Sequence, residues 1–151
     1  MSVEYIKKWV NHLHSVDREM SRIAAEKLGQ TGSNSVVPDL IKALTNRPSE
    51  IRAAAARALG NIGDPTAVPA LSELLKDDDY IVSCAAAEAL GYIRHRSAVP
   101  ALRDILRQHR ASAHFERTHS VDRGLFVAAT HALERIGTAD ALEAVRKYGG
   151  T

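Results

Sequence analysis

The sequence predicts an all-α protein built as a stack of helix pairs, and three observations carry that prediction. Leu-Gly pairs recur every 31 residues, at Leu28-Gly29, Leu59-Gly60 and Leu90-Gly91. Prolines recur at the same interval, at Pro38, Pro69 and Pro100. Within each copy the apolar residues are spaced by three and four, the period of a helix rather than of a strand. A fourth copy, Leu133 to Gly137, follows after 12 further residues. One helix pair cannot bury its apolar stripe alone, so the copies must stack.

The columns of the repeat place the elements in order. One column holds Leu28, Leu59, Leu90 and Leu133, and the next holds Thr31, Ile62, Ile93 and Ile136. Two others hold Trp9, Leu40, Leu71, Leu102 and Val145, then Leu13, Leu44, Leu75 and Leu106. Helices are expected over 3–14, 16–30, 35–45, 47–61, 66–76, 78–92, 97–108, 121–135 and 140–148. The chain then reads as a single domain, 1–151. It has a half-unit 1–14, units of about 15–45, 46–76, 77–108 and 120–148, and an insertion at 108–119.

Start signals repeat as well. Ser15, Asn46, Asp77 and Ser120 share one column, and Ser35, Thr66, Ser97 and Asp140 another. All can accept from a backbone N–H left free at a helix start, so both columns are expected to be N-caps. The prolines follow the second column by three positions, where no intrahelical donor is needed. In the fourth copy that position is Glu143, expected to form a capping box with Asp140. Gly32, Gly63 and Gly137 are expected to supply left-handed turns. The pairs Ala24-Ala25, Ala55-Ala56 and Ala86-Ala87 let neighbouring helices approach closely.

Composition narrows the class. The chain has 151 residues, enough for a useful core, with 45% apolar but only 5% aromatic residues, so that core is Ala, Leu, Val and Ile. A net charge of +2 gives no strong field for nucleic acid or anionic lipid. Cys84 is the single cysteine, which excludes an intramolecular disulfide and gives no sign of an oxidising compartment. No signal-like or membrane-length apolar run is present, so a soluble cytoplasmic protein is expected. Polar outer faces on both terminal helices (Glu4, Lys7, Lys8; Arg146, Lys147) fit a capped, independent array.

The residues from Ile51 to Asp79, with the core A-A-x-A-L-G-x-I-G, resemble the short HEAT-like repeat named after phycobilisome lyases. The ankyrin and tetratricopeptide signatures are missing. The resemblance implies a right-handed α-solenoid of antiparallel helix pairs whose second helices line the concave side. Carried over by position, it gives three ladders and a rim. The ladders are Glu26, Arg57, Glu88, His131; Gln30, Asn61, Tyr92, Arg135; and Arg22, Ala53, Cys84, Val127. The rim is Glu19, Glu50, Ile81 and Gly124. Mixed charge over apolar ground (Ile23, Ala54, Ala85, Ala128) suits a protein segment better than a phosphate backbone.

Reactive chemistry finds little support. The insertion, QHRASAHFERTH, carries Arg110, His114, Arg117 and His119. It reads either as a basic contact loop that gains charge near pH ~6.5 or as a solvated loop with no fixed partner. His109, His114 and His119 do not share a helical face, and no CxxC or HExxH completes a zinc set. Cys84 beside His131 is a candidate nucleophile pair without an oxyanion donor or a third member. The alternative is a small residue filling an alanine-sized slot, and a His facing Glu88. Trp9 sits in a core column, whereas Tyr80 and Tyr92 fall at groove positions where exposed Tyr anchors interfaces.

The expected function is a non-catalytic interaction scaffold without a cofactor. It would hold a partner protein's segment with Arg22, Glu26, Arg57, Asn61, Cys84, Glu88, Tyr92, His131 and Arg135, the insertion clamping one end. The resemblance implies a second reading, a phycobilin lyase subunit or phycobilisome-associated chaperone, with tetrapyrrole propionates at Arg57, Arg135 and the loop arginines. A third, weak nucleic-acid binding, is opposed by Glu19, Glu26, Glu50 and Glu88. Iron-dependent hydroxylases of related repeats use His-Glu ligand pairs, and this sequence has none.

Overall fold

The computed structural model describes residues 2–45, 48–112 and 120–149, and all of their side chains except those of 111–112 and 120–122. The described residues form nine α-helices: α1 (Val3–Leu13), α2 (Arg18–Gln30), α3 (Val37–Ala43), α4 (Ser49–Ile62), α5 (Val68–Leu74), α6 (Tyr80–Ile93), α7 (Val99–Ser112), α8 (Ser120–Ile136) and α9 (Ala139–Tyr148). Helices α2, α4, α6 and α8 pack one against the next as one layer. Helices α1, α3, α5 and α7 each pack on the helix that follows, and α9 closes against α7 and α8. The chain is thus an α-solenoid of helix pairs.

The core lies between the two layers. Leu28, Leu59, Leu90 and Leu133 are fully buried, as are Leu13, Leu40, Leu71, Leu102 and Leu106. Every alanine of the repeated pairs is buried too. Trp9 packs against this core, edge-on to Tyr5 at 6.1 Å.

The Leu-Gly column has a steric cause. A methyl group on Gly29 would lie 2.7 Å from the Ala58 Cα; on Gly60 and Gly91 it would lie 2.8 Å from the Ala89 and Ala132 Cα atoms. Each glycine therefore stands where the next helix of the same layer crosses, at a distance that only a hydrogen atom permits. Gly32, Gly63 and Gly137 serve differently. They take φ of 61°, 78° and 68°, the expected left-handed turn. In the third unit that position is Arg94, which adopts the same conformation, φ 55°, with a full side chain.

The caps correct the sequence reading by two residues. Asp17 and Asp79 cap α2 and α6, and Pro48 precedes α4. Ser15 and Asp77 instead accept from the N–H groups of Asp17 and Asp79, tightening the turn before the helix. Asn46 lies outside the described residues, and Ser120 is the first residue of α8. Ser35, Thr66 and Ser97 lie inside 3-10 turns that lead into α3, α5 and α7. Those turns are capped by Ser33, Asp64 and His95, because an added tight turn moves the first free N–H groups upstream. Thr138, not Asp140, precedes α9, so Asp140 and Glu143 form no capping box.

Helix α7 is 14 residues long, against seven for α3 and α5. The first part of the insertion, Gln108 to Ser112, is therefore helix rather than loop. Between units, Arg52 on α4 donates twice to the Asp77 carboxylate, both at 2.8 Å, with little of either side chain exposed. This fork ties α4 to the turn that opens α6.

Candidate functional site

Two of the three ladders emerge on the open face of α2, α4, α6 and α8, and in the third Ala53 is buried. Residues one turn apart share a helix face, so Cys84, Glu88 and Tyr92 rise along α6 and Val127, His131 and Arg135 along α8. Glu26, Arg57, Glu88 and His131 are all exposed, as are Gln30, Asn61, Tyr92 and Arg135. Arg22 and Cys84 are half-buried.

Five of the expected residues meet in one place. Cys84, Glu88, Tyr92, His131 and Arg135 line a hollow of about 380 Å³ between α6 and α8, completed by Tyr80, Gly124, Val127, Ala128 and Ala132. Arg57 and Asn61 line a second hollow of about 180 Å³ between α4 and α6, with Glu88, Ala89 and Tyr92. Glu88 and Tyr92 belong to both, so the two form one trough over α4, α6 and α8. Arg22 and Glu26 line neither hollow. On α2 the Arg22 guanidinium closes on Glu19 at 2.5 Å and on Glu26, which raises its pKa and depresses that of Glu19.

Two contacts shape the larger hollow. The Arg135 guanidinium lies over the Tyr92 ring, 4.4 Å from its centroid, in a cation–π contact. At the other end, Tyr80 lies so close to Gly124 that a β-carbon there would collide with its hydroxyl. Burial pushes the Cys84 thiol up, as does Glu88, while a hydrogen bond with Tyr80 pulls it down; the net shift is upward. Cys84 therefore presents a protonated thiol at neutral pH, which disfavours the thiolate form a nucleophile requires.

The described part of the insertion is tied to the scaffold. Arg110 lies on α7 and donates to the Lys147 carbonyl at 2.5 Å, satisfying an acceptor left free in the last turn of α9. The His109 ring stacks on Phe126, centroids 4.3 Å apart, between α7 and α8. His114, Arg117 and His119 lie outside the described residues.

Sequence reasoning missed a polar hollow of about 280 Å³ between α7 and α9, lined by Arg103, Arg107, Asp140, Glu143, Lys147 and Tyr148. The signal was two arginines one turn apart on α7, facing acids on the next outer helix. It also missed the Arg135–Tyr92 stack, although the two share a ladder one copy apart.

The HEAT repeats family profile matches residues 6–83, and the PBS lyase HEAT-like repeat matches residues 83–108. This chain belongs to the HEAT-repeat family. Among solved structures, the HEAT-repeat chain is similar to the complex of CpcE and CpcF of phycocyanin lyase from Nostoc sp. PCC7120, with 32% identity and a TM-score of 0.79. That match covers 93% of this chain and 56% of the other, so the chain spans little more than half of its length. Two engineered proteins match 99% of the chain at 26% identity, with TM-scores of 0.66 and 0.65, over 69% and 70% of their own lengths. Human deoxyhypusine hydroxylase in complex with glycerol matches at 20% identity and a TM-score of 0.61, covering 98% of this chain and 46% of the enzyme. At that identity the likeness is one of fold alone. No curated protein sequence gives a significant match. Among the described residues, no helix is long and apolar enough to cross a membrane.

Proposed function

We propose that this HEAT-repeat chain is a non-catalytic scaffold that holds a segment of a partner protein in the trough over α4, α6 and α8. The observation that carries the reading is the Tyr92–Arg135 stack at the junction of the two hollows. Tyr and Arg are the side chains that most often dominate interface energy, and here both are exposed on a rigid helix layer. The carboxylates of Glu19, Glu26, Glu50 and Glu88 on the same face oppose a phosphate backbone. The similar structure from Nostoc is a complex of two proteins, which supports a protein partner. The free thiol at Cys84 suits a reducing compartment such as the cytoplasm.

The test places a photo-crosslinking amino acid at Tyr92 and, separately, at Leu142 on α9. Capture at position 92 that is absent at position 142 and lost on Arg57→Glu supports the trough. Capture unchanged by Arg57→Glu counts against it.

A second reading, a phycobilin lyase-associated subunit, is favoured by the 32% identity to the CpcE–CpcF complex over 93% of the chain. Arg57 and Arg135 would then meet the propionates of a tetrapyrrole. Adding a bilin to the protein should shift its absorbance and fluorescence; an unchanged spectrum removes this reading.

A further inference from the structure

The trough is unequal in charge along its length, and that inequality specifies its occupant. Just beyond the α4 end of the trough, Glu19 and Glu26 on α2 share the cation Arg22, leaving a negative excess on that side. Glu50 on α4 is exposed and joins no ion pair among the described residues. Toward α8 the sign reverses. Arg57 and Arg135 stand on either side of Glu88, and neither joins an ion pair among the described residues. The Arg135 guanidinium carbon lies over the Tyr92 ring, and a guanidinium so placed keeps a planar fork of N–H donors with which to meet a carboxylate.

Apolar surface lies beside these cations. The described chain exposes eight large apolar side chains, and four of them, Tyr80, Ile81, Tyr92 and Val127, stand on this face of α6 and α8. Tyr80, Tyr92 and Val127 line the larger hollow, which at about 380 Å³ admits an aromatic or branched side chain. Its walls thus offer an apolar seat next to a guanidinium.

Resting on the trough reading above, we infer that the bound segment is an acidic-apolar peptide. It seats one large apolar side chain between α6 and α8, with an adjacent carboxylate on Arg135 and a second reaching Arg57. Its flank nearer α2 meets the acidic end and so carries no acid.

Selection of a random displayed peptide library on the full chain tests this. Asp or Glu should be enriched within two positions of Phe, Leu or Ile. A labelled enriched peptide should bind Arg135→Glu at least about tenfold more weakly, since the variant sets a carboxylate against the peptide's own acid. The same peptide with its acid changed to Lys should regain binding to that variant. Arg135→Gln, with its helical circular dichroism checked against the parent, separates lost charge from lost fold. Enrichment of basic or uncharged peptides, or no enrichment, overturns the inference. If crosslinking at Tyr92 still depends on Arg57 while peptide charge has no effect, the trough stands and the acidic occupant falls. If both fail, both fall.

Discussion

At Arg94 a side chain sits where the other three copies of the turn, Gly32, Gly63 and Gly137, use glycine. The left-handed backbone crowds a β-carbon against the carbonyl that follows it, at a cost of roughly 1–2 kcal/mol. Arg94→Gly should therefore raise stability by about 1 kcal/mol, read as a higher urea midpoint at unchanged slope. Gly60→Ala should act in the opposite sense. Its methyl would meet the Ala89 backbone at 2.8 Å, and overpacking of this kind costs about 1–3 kcal/mol. The sequence marked both glycine columns, but not that one serves a turn and the other a crossing. Periodicity records that a residue recurs; it does not say whether backbone angle or close approach demands it. Arg94 was invisible for the same reason, since the turn persists there without its usual residue.

At the level of the element, the helices were legible and their caps were not. Apolar spacing by three and four fixes which residues face inward, whereas the cap depends on where the preceding turn places free N–H groups. Asp79 accepts from the Ile81 N–H, and Asp77, two residues before it, faces Arg52. The Arg52 hydrogen bonds hold the Asp77 carboxyl below the usual range despite its burial. A depressed carboxylate contributes stability that is complete above its unfolded pKa of about 3.9 and is lost as pH falls through its lower folded value. Denaturation between pH 7 and 2 should thus show a loss of stability below about pH 4 that is smaller in Asp77→Asn. At neutral pH that variant should be less stable by about 1–2 kcal/mol, because the half-buried Arg52 fork loses the carboxylate that accepts both of its hydrogen bonds. Equal acid sensitivity in parent and variant would remove the pair from the account.

Across the whole molecule, stability is a sum of neighbouring contacts. Leu59→Ala or Leu90→Ala should cost ~2–5 kcal/mol, a large part of the ~5–15 kcal/mol typical of a domain. Amide exchange should be slowest in α4 and α6, which have layer neighbours on both sides, and faster in α1 and α9. The array was readable from sequence because one unit predicts the next, and the ladders followed from the same register. The trough was less so: its depth depends on Arg135 lying on Tyr92 and on Tyr80 lying against Gly124, contacts between side chains of successive helices that no single column encodes. The insertion starts as helix because α7 carries its helical pattern past the length of α3 and α5, which the repeat register alone does not foretell. One further consequence lies in the crossing glycines. The residue in register with Gly29, Gly60 and Gly91 on α8 is Glu134, and it is exposed. A hairpin grafted after α9 would drive its inner helix onto that carboxylate, whereas a unit duplicated between Gly60 and Gly91 would find a notch on both sides. Engineers can lengthen this protein from its middle; extending its tail first requires Glu134→Gly.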